Sequence, residues 1–259
     1  MGRMADRRRR WLGLIPLVLL ACALEAAGRT GTLNIALVPL PSGVLVRLGE
    51  ILVGGDLFAP MAQTTALLFA AYAIASAVAI VAGLVVGRSS FAYHLLEPTL
   101  ELVRPLPKPA LLPPLMLLLG IGAAMKITIV GLAVFFPVFI NTVQGVRGVE
   151  ATLVDVGRTF RLSRMSLITR IVLPAAMPLI FTGLRIALGL GLIVVVIAEM
   201  LAGTGGLGYL VIDMQRMFRV VEMYAWLVIL AVFGYALNSL FLLAERRLLR
   251  WHPSGESST

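Results

Sequence analysis

Apolar residues fill most of this chain in long runs, and short polar, glycine-rich or proline-rich breaks separate the runs. A helix of about 20 apolar residues crosses the hydrocarbon core of a bilayer. The pattern predicts about six such helices. The first, second, fifth and sixth cover residues 11–27, 62–86, 175–201 and 221–243. The third ends near Leu119, and the fourth runs from Lys126 to near Thr142. The predicted fold class is therefore all-α, a polytopic membrane protein with one transmembrane domain over residues 1–259.

The first run allows a second interpretation. A basic start at 1–10 followed by apolar residues at 11–24 also fits a secretory signal peptide. Leu20 directly before Ala21 is a poor cleavage context, so we favour an uncleaved first span. Between the first two spans, at 28–61, lies the longest loop. Within it, apolar residues at 44–52 fall on one helical face and predict a helix at the membrane interface.

Composition supports the membrane assignment. Hydrophobic residues make up 59% of the chain, charged residues 14%, and the mean hydropathy is +0.98. Soluble domains carry about 25% charged residues. The net charge of +9 could suggest nucleic-acid binding, but the basic residues bracket apolar runs as the positive-inside rule describes. A single cysteine and two histidines leave no intrachain disulfide and predict no metal site.

The distribution of basic residues predicts an orientation. Sixteen of the 22 Lys and Arg residues fall at the start, in 88–108, in 147–170 and at the end of the sixth span, and five fall in the alternate segments. Cytoplasmic loops carry the excess of positive charge. Both termini are therefore predicted in the cytoplasm, with the basic start 1–10, the loop 145–174 and the tail 252–259 inside and the loop 28–61 outside.

The cytoplasmic segment 149–174 has its own amphipathic pattern. Leu153, Val156 and Phe160 lie at helical spacing, and a second set follows at Met165, Ile168 and Val172. Between the two sets the chain breaks at 161–163, where Ser163 can cap the second helix. Pro174 then begins the fifth span. The pattern predicts two short helices lying across a membrane face.

The same segment carries a family pattern, in which E-A-A is followed by three residues, G, nine residues, I, one residue and L-P. The spacing fits throughout, although Asp replaces Glu, Val-Gly replaces Ala-Ala, and Arg161 stands where glycine is usual. The aligned residues are Asp155, Val156, Gly157, Arg161, Ile171, Leu173 and Pro174. With the runs 104–115, 173–190 and 198–210, the chain resembles permeases of binding-protein-dependent ABC importers, in their nitrate, sulfonate and taurine branch.

That resemblance implies a type I permease subunit in the bacterial plasma (inner) membrane. It implies a homodimer, two cytoplasmic ATPase subunits, and an extracytoplasmic solute-binding protein. The cytoplasmic loop would enter a cleft of the ATPase as a coupling helix. The implied coupling residues are Asp155, Val156, Gly157, Arg158, Phe160, Arg161, Ile171, Leu173 and Pro174.

The implied solute is an anion such as a sulfonate, taurine or nitrate. A pyrimidine precursor or an aromatic acid is the alternative within the class. An ion-coupled secondary transporter fits less well, because the sequence shows no internal inverted repeat.

The sequence predicts no enzyme and no cofactor in this chain. Residues 203–208 match G-x-G-x-x-G, but a long apolar helix precedes them where a dinucleotide site needs a strand. Residues 120–128 lack the glycine and hydroxyl residue that flank the lysine of a phosphate loop. ATP is therefore expected on a partner subunit.

Two ionisable residues stand in the fifth span, Arg185 and Glu199. Such groups are costly in a membrane and usually face an interior cavity. Both are therefore candidates for the translocation path, and the alternative for each is an anchoring role. Fourteen helical residues separate them by about 21 Å, too far for an ion pair. For Arg161, either the turn needs no left-handed residue, or the strain is tolerated because the guanidinium binds an acidic group on the ATPase.

Overall fold

The computed structural model describes residues 15–249, and within that range all regular secondary structure is helical. The α-helices are α1 Ile15–Arg29, α2 Pro41–Gly54, α3 Phe58–Arg88, α4 Ser90–Val103, α5 Leu112–Leu119, α6 Ala123–Arg147, α7 Ala151–Thr159, α8 Arg164–Leu167, α9 Leu173–Ala202, α10 Leu207–Arg216 and α11 Val220–Leu248. A 3₁₀ turn, Lys108–Leu111, precedes α5, and a π-helical turn, Ile168–Val172, joins α8 to α9.

Four helices are long and apolar enough to cross a membrane: α3, α6, the continuous stretch Arg164–Ala202, and α11. The pair Ser90–Val103 and Lys108–Leu119 adds a fifth if the two halves, bent by 86°, form one span. The predicted first span begins at residue 11, outside the described residues, and α1 covers the rest of it. The all-helical class is confirmed, and the count of six stays a prediction.

Helix α6 forms the centre of the bundle, with α3 on one side and α9 on the other. Small residues let these helices approach closely. A side chain on Gly83 would collide with Thr142, and one on Gly183 would collide with Asn141. The small residues 183, 187 and 191, spaced four apart along α9, therefore form a packing surface, and Ala187 among them is fully buried.

The helix predicted within loop 28–61 is present as α2. The buried side of α2 packs against protein, whereas the prediction was a helix at the membrane interface. Val44 and Ile51 of α2 pack against the end of the bundle formed by α10 and α11, where Leu207 and Trp226 are also buried. Helix α10 was not predicted, because the sequence pattern between the fifth and sixth spans indicated only the glycine-rich residues 203–208. It is mixed in polarity, and only Leu207, Gly208 and Val211 are buried.

The region of the third predicted span consists of two helical segments, Ser90–Val103 and Lys108–Leu119, which meet at a sharp bend and are called the broken third span below. Helix α4 ends at Val103, and Pro105, Pro107 and Pro109 cannot donate backbone hydrogen bonds. Lys108 holds the break together, because its ammonium donates to the carbonyls of Val103, Arg104 and Leu106 at 3.0, 3.1 and 2.9 Å. A cation in this position satisfies carbonyls that a helix C-terminus leaves free.

Candidate functional site

The first helix of the cytoplasmic segment, α7, ends in a Schellman motif. The Leu162 N–H donates to the Gly157 carbonyl at 3.1 Å, and the Arg161 N–H donates to the Arg158 carbonyl at 2.9 Å. These two bonds satisfy carbonyls at the helix end and require a left-handed residue after the cap. That residue is Arg161, with φ of +52°.

The turn is therefore left-handed, and the account in which it avoids that conformation is wrong. Glycine adopts positive φ freely, whereas a residue with a Cβ costs about 1 kcal/mol there. Arg161 is exposed, and within residues 15–249 its side chain has no hydrogen bond or ion pair. The guanidinium is available to a partner.

Gly157 lies inside the segment. A Cβ at this position would come within 2.6 Å of Ile171 Cδ1, and Leu162 and Leu167 are also close. The absence of a side chain therefore lets the returning helix pack directly against α7. In this chain, the residue at 157 and Ile171 therefore hold the two helices of the segment together.

The second helix is not separate from the fifth span, which corrects the prediction that Pro174 begins a new helix. Ser163 caps α8 as predicted, because its Oγ accepts the Ser166 N–H at 3.2 Å. From Arg164 the helix continues to Ala202. The π-helical turn Ile168–Val172 lies just before Pro174, where the proline removes a backbone donor. Leu173 and Pro174 are half-buried.

Helix α7 exposes an apolar face. Leu153, Val156 and Phe160 are 46%, 49% and 76% exposed. The polar residues of the helix are also exposed, and Asp155 pairs with Arg158 at 3.1 Å. Arg161, Arg164 and Arg170 are exposed nearby. The nine predicted coupling residues thus divide into an exposed group on α7 and its turn, and an internal group, which consists of Gly157, Ile171, Leu173 and Pro174.

Arg185 lies in the middle of α9 with its side chain exposed. No hydrogen bond or ion pair holds it within the part of the chain that the structure describes. Ile186, Leu190 and Ile193 of the same helix are 47%, 41% and 56% exposed and lie on the adjoining face, about 80–140° around the axis from Arg185. Together these two faces of α9 form an open surface of the single chain that carries a charge.

Glu199 is placed differently, because it has no exposed surface. Its carboxylate accepts the Thr64 hydroxyl at 2.9 and 3.0 Å and the Gly208 N–H at 2.9 Å. Thr64 Oγ1 in turn accepts the Leu207 N–H at 2.9 Å. The charge of the buried Lys126 also acts on this carboxylate. We call Thr64, Glu199, Leu207 and Gly208 the external clasp, since it joins α3, α9 and α10.

Glycines make room for the external clasp. Gly206 has φ of +100°, and a side chain there would overlap the Glu199 carboxylate. A side chain on Gly208 would overlap the backbone carbonyl of Val196. The sequence analysis missed Thr64 as the partner of Glu199. The available signal was the glycine spacing at 203–208, which indicates close backbone approach to a neighbouring group.

No group of three or more His, Cys, Asp or Glu side chains in residues 15–249 could hold a metal ion. Cys22 is exposed and free.

Comparison with known proteins defines the class. Residues 75–250 match the model of the binding-protein-dependent transport system inner membrane component family. The match covers more than half of the chain, so the chain belongs to this family and is an integral, multi-pass ABC importer permease subunit.

Individual relatives agree with the predicted branch of the family. A putative aliphatic sulfonates transport permease protein SsuC of Bacillus subtilis (strain 168) is 30% identical over 243 residues, 94% of this chain and 88% of that protein. The taurine transport system permease protein TauC of Escherichia coli (strain K12) is 34% identical over 170 residues, 66% of this chain and 62% of that protein.

A solved structure shows the same fold. It is an inward-facing conformation of the MetNI methionine ABC transporter, with a TM-score of 0.59 and 20% sequence identity. The likeness covers 73% of this chain and 92% of that one. The type I permease fold is confirmed.

Proposed function

We propose that this permease imports a small oxyanion of the sulfonate, taurine or nitrate kind, delivered by an extracytoplasmic binding protein and driven by two cytoplasmic ATPase subunits. It acts in the plasma membrane as a homodimer with both termini inside. The names of the relatives support this solute class. ATP is bound and hydrolysed by the partner.

The proposal that α7 contacts the ATPase subunit rests on the exposed apolar face of this helix. Leu153, Val156 and Phe160 expose apolar area to water, whereas Gly157, Leu167 and Val172 of the same segment are buried. A contiguous apolar patch rimmed by charge marks a protein–protein contact. The arginines beside it favour an acidic rim on the partner. Asp155, Val156, Arg158, Phe160 and Arg161 make the contact, while Gly157 and Ile171 hold its shape.

The exposed side of α9 supports the homodimer and the path. An arginine facing lipid near the bilayer centre costs about 2.5–3.5 kcal/mol even on insertion scales. This free-energy cost is avoided if the side of α9 that carries Arg185 faces a second copy of the permease across a water-filled path. We assign Arg185 to that path. Glu199, which has no exposed surface, anchors the external end.

The decisive experiment replaces Phe160 with Asp and measures co-purification of the ATPase subunit together with ATP-driven uptake. We expect both to fall at least tenfold, because a charge would be buried in an apolar contact. Phe218→Asp is the matched control, since Phe218 is 88% exposed at the opposite end of the molecule. It should leave ATPase association unchanged. Normal association of the Phe160→Asp protein would refute α7 as the docking helix.

A further inference from the structure

A cavity of about 440 Å³ lies between the broken third span, α6 and α9. Small-molecule sites occupy about 300–1,000 Å³. Arg104, Lys108 and Asn141 supply polar groups on one side of the cavity. Ile186, Leu190 and Ile193 of α9 form an aliphatic wall. The lining thus combines positive charge with an apolar surface.

The position of the cavity follows from the break at 104–107. Non-helical backbone at membrane depth is tolerated only where protein buries it or where it lines a water-filled space. Arg104, Pro105 and Pro107 are exposed in the single chain. Arg104 would be costly against lipid. Both costs are avoided if the break faces the aqueous interior of the transporter, so that the cavity opens to that interior.

The charge in the cavity is not neutralised by its own lining. Lys108 uses its three donors on backbone carbonyls, but its positive charge remains. The Arg104 side chain makes no hydrogen bond or ion pair with any described residue. Among the lining residues there is no carboxylate.

The nearest acidic groups line a separate, smaller cavity of about 130 Å³. It contains Glu97 and Glu101 and shares Arg104 and Ile140 with the first. The Glu97 carboxylate already accepts the Tyr93 hydroxyl at 2.9 Å and lies 3.3 Å from His94 Nδ1. No carboxylate of either residue is within ion-pair distance of Arg104.

We propose that this cavity binds the oxyanion head of the transported solute. The Arg104 guanidinium and the Asn141 amide donate hydrogen bonds to the oxyanion, and the positive charge of Lys108 attracts it. Asn141 Nδ2 donates one hydrogen to the Pro137 carbonyl at 2.8 Å, so its second hydrogen is available. The aliphatic wall of α9 takes a short apolar tail. This inference rests on the proposed function and narrows the solute to an alkyl sulfonate or a similar small oxyanion.

The test uses the purified permease with its ATPase subunit and ethanesulfonate as the probe. A ligand that binds the folded state raises the unfolding midpoint in a concentration-dependent way, which gives its affinity. Arg104→Gln should weaken ethanesulfonate binding roughly ten- to a hundredfold, because a charge-assisted hydrogen bond is lost. Arg88→Gln is the matched control, an exposed arginine at the end of α3 that should bind as the wild type does. Ethylammonium should give no shift in any of the proteins.

Ile193→Trp tests the site from the other wall and does not touch the charges. It fills the cavity and should weaken butanesulfonate more than methanesulfonate. The inference is overturned if the wild type shows no shift with ethanesulfonate. It is also overturned if Arg104→Gln binds with wild-type affinity, or, should that variant not fold, if Ile193→Trp binds both probes normally. Failure of the proposed function would appear separately, as a wild-type permease that does not associate with an ATPase.

Discussion

Polar side chains at the two ends of the bundle differ in their burial and in their hydrogen bonding within the chain. At the end that we propose is external, the Glu199 carboxylate is fully buried, and Thr64 and Gly208 donate to it within the same chain. At the end that we propose is cytoplasmic, Asp155 and Arg158 are about two-thirds exposed, beside apolar side chains that nothing in the described chain covers.

This difference distinguishes polar groups that stabilise the fold from polar groups that are available to bind a partner. A buried polar group without its partner costs about 1–3 kcal/mol, so every member of the external clasp is needed by the others. An exposed ion pair contributes about 0–1 kcal/mol, so the residues on the surface of α7 are free to serve a partner. Mutations at the external clasp should therefore affect folding, and mutations on the α7 face should affect association.

The largest effect is expected from Gly206→Ala. The new Cβ would overlap the Glu199 carboxylate at a backbone φ of +100°, which only glycine adopts readily. We expect a loss of about 3 kcal/mol or more of stability, measured by thermal unfolding of the purified permease. Gly49→Ala is the control, because its Cβ would meet nothing within 4 Å in helix α2. Equal unfolding midpoints for the two variants would contradict the close contact at Gly206.

A smaller loss is expected from Thr64→Val. The substitution keeps the shape but removes the hydroxyl that donates to Glu199 and accepts from Leu207. Two buried groups lose a partner, and the expected cost is about 2 kcal/mol. Thr64→Ser restores the hydroxyl and should recover most of the midpoint. If valine and serine behave alike, the hydroxyl does not hold the external clasp.

The smallest effect on stability, and one of opposite sign, is expected from Arg161→Gly. Relief of the left-handed strain should stabilise the isolated permease by about 1 kcal/mol. If the guanidinium binds an acidic group on the ATPase, the same variant should co-purify less ATPase than wild type. A stabilised variant with normal ATPase association would show that Arg161 makes no contact there. An unchanged midpoint would show that the turn is not strained.

The sequence allowed the long spans and the two-part cytoplasmic segment to be predicted, because their apolar periodicity is local. It did not predict the broken third span, whose bend depends on Lys108 binding three carbonyls of the preceding turn. Pro105, Pro107 and Pro109 are local signals that a helix breaks, but they do not specify the direction of the bend. Glu199 and Arg185 lie on the same helix, and an ionised side chain at either position is costly in a membrane. Nevertheless Glu199 is buried and Arg185 is exposed. That difference is set by Thr64 and Gly208, which are distant from Arg185 in space and from each other in sequence.

The uninterrupted helix Arg164–Ala202 has a mechanical consequence. Its first residue adjoins the α7 turn, and its final turn carries Glu199, about 50 Å away at 1.5 Å per residue. A rigid rod of that length pivoting near its middle by about 10° displaces each tip by roughly 4 Å, in opposite directions. A modest tilt imposed at the α7 end would therefore produce a translation at the Glu199 end. Two irregularities lie near the α7 end of this helix, the π-helical turn Ile168–Val172 and Pro178.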